Sequence, residues 1–169
     1  MKYLAPIRDG LLLATLLVLS ACSGKPDHGP EKIRWDGDSC QRCAMAISDP
    51  HYAAEIRGAP AGSKTRIYKF DDIGCAVVWL DKQPWKNDPR TEVWVRDYQK
   101  KRWLDARSAW YIPGQHTPMD YQLGATSEQQ DKALDWAAAR KHIYAIEQRD
   151  NPHAGQPLAP STPSPGTKP

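Results

Sequence analysis

Two thiols and a thioether lie within six residues in Cys40-Gln41-Arg42-Cys43-Ala44-Met45. Thiolate and thioether sulfur are soft donors that together favour Cu(I) over harder divalent ions. Zinc is held by Cys, His and carboxylates and has no use for Met45. Positions two apart on an extended segment share a face, so Cys43 and Met45 can converge on one ion, with Cys40 as a third or exchange ligand. Met119, in His116-Thr117-Pro118-Met119, is the one other methionine besides the start residue. It reads either as a core gap-filler or as a donor closing the site from the second half of the chain. His116 beside it reads as a solvated loop residue in preference to a nitrogen donor, and His28 and His153 fall in tails.

Three other readings compete for Cys40 and Cys43. A thioredoxin-type redox pair wants its first Cys at the N-terminus of a helix, and Asp49-Pro50 leaves little room for one. A zinc site wants a second pair, and Cys75 stands alone. A plain disulfide remains, and it would leave one thiol over. Cys75, with Val78 and Trp79 three and four residues on, reads as a buried structural residue before a ligand.

Lys2 and Arg8 precede an apolar run, Leu11 to Leu19, that is too short to span a bilayer. It ends in Leu19-Ser20-Ala21-Cys22, which resembles a lipoprotein signal with its lipobox. That resemblance implies removal of residues 1–21, acylation of Cys22 (palmitate included) and a multiple-chain membrane anchor. Ser23 in place of Asp favours the outer over the inner membrane. Cys40, Cys43 and Cys75 then remain in an oxidising periplasm-facing compartment, where a metal would occupy the odd thiol. The formal charge is only +3, with Lys and Arg interspersed among acidic residues, which excludes a nucleic-acid footprint. No nucleophile–base pair stands out, so the chain does not read as an enzyme.

Residues 22–34 read as a flexible tether, and 151–169, with six prolines, as a disordered tail. Between them the pattern is α+β, with strands over 52–57 and 64–70 around a Gly58–Gly62 turn. A helix over 71–80 follows, with an Asp start and Pro84 beyond its end. Strands over 92–98 and 102–105 flank Gln99-Lys100-Lys101, 106–112 is ambiguous, and 121–125 is another strand. A capping-box-like Thr126-Ser127-Glu128-Gln129 opens a long helix to about Arg149. This divides into a first module, 35–88, carrying the Cys/Met motif, and a second, 89–150.

The ordered set Asp38-x-Cys40-x-x-Cys43-x-Met45-x-Ile47, Phe70-Asp71-Asp72-Ile73-Gly74-Cys75, Val95-x-Asp97-Tyr98, Trp103-x-Asp105-Ala106 and Thr117-Pro118-Met119 resembles the NosL family of nitrous-oxide reductase accessory lipoproteins. The resemblance covers roughly residues 36–140. It implies two similar ββαβ-type modules and an envelope Cu(I) metallochaperone for copper-site assembly in denitrification. It also implies as partners nitrous oxide reductase, its membrane ABC-type maturation complex, or both. Family members usually carry Gly where this chain has Ala44. The alternative from another class is an envelope thiol–disulfide oxidoreductase using Cys40 and Cys43.

Overall fold

A computed structural model describes residues 27–150; Cys22, the signal and the Pro-rich tail lie outside the described residues. The fold is mixed α+β, with two helices and two small antiparallel sheets. Strands β1 (Ala54–Gly58), β2 (Arg66–Phe70), β3 (Glu92–Arg96) and β4 (Trp103–Asp105) form one sheet in the order β2-β1-β3-β4. Strands β5 (Trp110–Pro113) and β6 (Leu123–Thr126) form the other.

Period-two alternation sorts the larger sheet's side chains. Ala54, Ile56, Tyr68, Phe70, Val93 and Val95 are buried in one apolar cluster with helix α1 (Ile73–Asp81). The opposite side carries Glu55, Arg57, Lys69 and Glu92, paired in register as Glu55 with Lys69 and Arg57 with Glu92. Glu55 and Arg57 are nevertheless buried, because residues 28–33 run across them as a strap. Gly29 N–H donates to Glu92 at 2.8 Å, Arg57 Nε donates to the Gly29 carbonyl at 2.9 Å, and Glu31 N–H donates to Glu55 at 2.7 Å. Lys69 Nζ then reaches the Lys32 carbonyl at 2.8 Å, and Ile33 is buried. The tether expected over 22–34 therefore ends earlier, and its last residues belong to the folded unit. Charged side chains on the sheet satisfy the strap's backbone, which composition alone did not reveal.

Helix α1 starts at an extended Asp72 (φ −146°, ψ 144°) whose side chain accepts from Gly74 N–H at 3.0 Å, as an N-cap should. A Cβ on Gly74 would lie 2.1 Å from the Tyr121 ring, so only glycine lets these elements approach. Strand–strand–helix order recurs, β1-β2-α1 and later β5-β6-α2, with β3-β4 between. A separate ββαβ sheet in each half is not what forms: β1 lies between β2 and β3, so the sheet crosses residues 88–89.

The long helix starts later than expected. Thr126 ends β6, and α2 spans Trp136–Asp150. Its cap is Asp135, whose Oδ1 accepts from Ala138 N–H at 2.8 Å. Leu134 exchanges backbone hydrogen bonds with Tyr111 at 2.8 and 2.9 Å, which holds that stretch extended and overrides the capping pattern at Ser127. The ambiguous 106–112 segment resolves into a turn capped by Asp105, which accepts from Arg107 N–H at 2.8 Å, followed by β5.

Candidate metal centre

Residues 34–47 form a short irregular hairpin that carries the Cys/Met motif. Ser39 bridges Ala46, Cys40 N–H donates to the Met45 carbonyl at 2.8 Å, and Ala44 N–H donates to the Cys40 carbonyl at 3.0 Å. The turn needs a left-handed residue, and Ala44 takes that place at φ 62°. Gly is free of the Cβ strain that Ala44 bears there. Asp38 pins the hairpin base, accepting from Arg34 N–H, Arg34 Nε and Lys69 Nζ at 2.9, 2.9 and 2.7 Å. Burial works to raise its pKa, but these three donors outweigh it and hold the carboxyl well below the usual range. Gln41 N–H donates to the Lys69 carbonyl at 2.8 Å, fastening the loop to the end of β2.

This placement sets Cys40 and Cys43 against the start of α1. Cys40 Sγ, Cys43 Sγ, Cys75 Sγ and an Asp71 oxygen all lie within 4.8 Å of one another. All three cysteines are free thiols; Cys40 and Cys75 are buried, and Cys43 is half-buried. The Cys43 thiol donates to Asp71 Oδ2 at 3.3 Å, while buried Asp71 Oδ1 has no hydrogen-bond partner among the described residues. An unsatisfied buried carboxylate oxygen beside three sulfurs costs free energy unless something fills the gap. A soft cation fits the donor set.

The thiols differ in protonation. The hydrogen bond from Cys75 pulls the Cys40 thiol down to about 6 against the effect of burial. Burial pushes Cys43 up to about 12, and Cys75 is raised because it donates to Cys40 and is itself buried. The hydrogen bonding and burial thus favour the thiolate form at Cys40 and the thiol form at Cys43 and Cys75.

Arg42 points away from solvent into a polar network. It donates to both Glu147 oxygens at 2.8 Å and to Tyr121 Oη, and Nη1 lies 3.8 Å from Cys75 Sγ. Tyr121 Oη donates to Glu147. One guanidinium thereby links the metal loop, the α1 cysteine and α2.

Of the residues singled out from sequence, Cys40 and Cys43 come together. Met45 follows two residues after Cys43 in the same loop and is 50% exposed. Met119 is half-buried against the core, and its N–H donates to Asp72 Oδ2 at 3.3 Å, beside Asp71. Thr117 Oγ1 donates to the same oxygen at 2.6 Å, so this loop is tied to the helix start that carries the cluster. His116 is exposed. Cys75 is buried, as its apolar spacing suggested, yet its sulfur lies within the cluster. Asp71 went unremarked as a donor. The tandem Asp71-Asp72 was the available signal: one carboxylate caps the helix, and the other, four residues before Cys75, is free for a different task. Residues 41–43 form a turn, and the chain that follows is irregular with a bridge at Ala46 and not a helix, which removes the setting a thioredoxin-type pair requires.

A three-thiol, one-carboxylate cluster at a helix start, buried except at half-buried Cys43, defines a candidate soft-metal-binding protein. The chain belongs to the NosL family, whose model matches residues 33–161. No curated protein matches it significantly. Family membership points to a copper-binding accessory protein and not to a classical enzyme, and the cluster is compatible with metal binding.

Proposed function

We propose that this protein is a metallochaperone that carries one Cu(I) as cargo on Cys40, Cys43 and Cys75, with Asp71 beside them. The convergence of three free thiols in a NosL-family chain carries this reading. Three sulfurs suit the monovalent ion. Met45, exposed next to the cluster's most accessible cysteine, serves as the exchange donor where cargo enters or leaves. Met119 stands ready to complete the set from the loop tied to Asp72. Copper passes by ligand substitution to nitrous oxide reductase or its membrane ABC-type maturation complex. Cys22 carries the lipid that anchors the chain in the envelope, facing the periplasm and favouring the outer membrane.

Anaerobic Cu(I) titration with X-ray absorption tests the centre. The expected result is one copper per chain with sulfur dominating its neighbours. A chain that binds no copper and instead reduces a disulfide substrate would return the reading to the oxidoreductase. Lipidation is tested by Cys22→Ser, which should leave unprocessed precursor that takes up no fatty-acid label.

A further inference from the structure

The strap has a direction. Residues 28 and 29 are held by Glu92 and Arg57, residue 31 by Glu55, and residue 32 by Lys69. Along β2 these contacts run from the row of Ile67 to that of Lys69, so the strap climbs the sheet from the β1–β2 hairpin tip toward Asp71. Asp27 and His28 accordingly line a cleft of about 550 Å³ together with Gly62, Ser63, Lys64 and Arg90 at that tip. The thiol cluster sits at the other end. At about 3.3 Å per residue, the four steps from Ile67 to Asp71 alone separate the two ends by about 13 Å.

Asp27, the residue that leads into the strap, is five residues on from Cys22, a span of at most about 18 Å even at full extension. A lipid on Cys22 therefore joins the folded unit at its hairpin-tip end and not at its cluster end. The tip's charge suits that position. Lys64 and Arg66 are exposed and make no ion pair with a carboxylate among the described residues, and Arg90 braces the tip by donating to the Ser63 carbonyl at 3.0 Å. Lys and Arg close to a membrane surface are attracted to anionic headgroups. The two exposed large apolar side chains among the described residues, Trp35 and Met45, both lie on the metal loop, away from that surface.

We propose that the anchored protein stands on its β1–β2 hairpin tip, with Lys64 and Arg66 against anionic phospholipid headgroups and the thiol cluster turned to the aqueous side. This orientation rests on the reading of Cys22 as the lipidated residue. It requires the copper recipient to approach from water and not from within the plane of the membrane.

The test uses the full-length protein purified with its native anchor and reconstituted in phosphatidylethanolamine vesicles containing phosphatidylglycerol. A benzophenone amino acid replaces either Ser63, at the tip, or Ser48, next to the metal loop. Photolysis should give several-fold more lipid adduct from position 63 than from 48. The double variant Lys64→Glu, Arg66→Glu should lower the yield at 63 and leave copper stoichiometry intact. Equal or reversed yields on a protein whose N-terminal peptide carries lipid overturn the orientation alone. An N-terminal peptide without lipid overturns the anchor reading together with it.

Discussion

Replacing Cys75 by Ser separates a trithiolate centre from a site made by the Cys-x-x-Cys loop alone. Between about pH 6 and about 12, Cys40 is ionised while Cys43 and Cys75 retain their protons. Binding a metal through all three sulfurs then displaces two protons, and each displaced proton changes the apparent affinity about tenfold per pH unit, or about 1.4 kcal/mol. Apparent Cu(I) affinity should therefore rise about 100-fold per pH unit in the unaltered protein and about tenfold in Cys75→Ser. The serine hydroxyl can still donate to Cys40, so folding and the Cys40 thiolate are retained as far as one atom permits. Anaerobic competition against a Cu(I) chelator of known pH dependence, between about pH 6.5 and 8.5, measures the two slopes. A wild-type slope of one proton or none, or an unchanged slope in Cys75→Ser, refutes the trithiolate.

Ala44→Gly should stabilise the protein by up to about 1 kcal/mol in urea unfolding, because the residue at φ 62° loses its Cβ strain. Gly74→Ala should destabilise by about 2 kcal/mol or more, since the new Cβ would meet the Tyr121 ring at 2.1 Å; wild-type stability would show that Tyr121 moves aside freely. Asp135→Ala should lose about 1 kcal/mol through the α2 cap, whereas Ser127→Ala should be neutral, and the reverse ranking would contradict the helix start. Burial raises Glu55 to about 7 from an ordinary 4.5. Its contribution to stability is thus full below about pH 4.5 and lost as pH rises through about 7. Glu55→Gln should flatten that decline in a pH series of melting temperatures, and a parallel decline would assign it to other groups.

The parts of the fold legible in the sequence are those with local signals. β2 announces itself by alternation, and α1 by Asp72 and its apolar run. The β3–β4 turn shows in Gln99-Lys100-Lys101, and the structure adds Asp97, which accepts from Gln99 and Lys100 N–H at 3.0 and 2.9 Å. What was hidden depends on partners distant in the chain. Leu134 is drawn into a bridge by Tyr111, which delays α2, and the strap is ordered by charges that sit 24 or more residues away. The site divides in the same way. Cys40 and Cys43 were evident from spacing, whereas Cys75 and Asp71 join them only because the loop is fastened to the end of β2.

That fastening has a second consequence, for colloidal behaviour. β2 is an edge strand, and a bare edge is a template for intermolecular pairing. The Gln41 N–H occupies the Lys69 carbonyl, and the exposed cation Arg66 repels an approaching copy. The metal loop is therefore also a stopper on the sheet. Substitutions that loosen it, at Asp38 or by Gln41→Pro, which removes that N–H, should yield self-association before they yield a soluble protein merely impaired in holding metal.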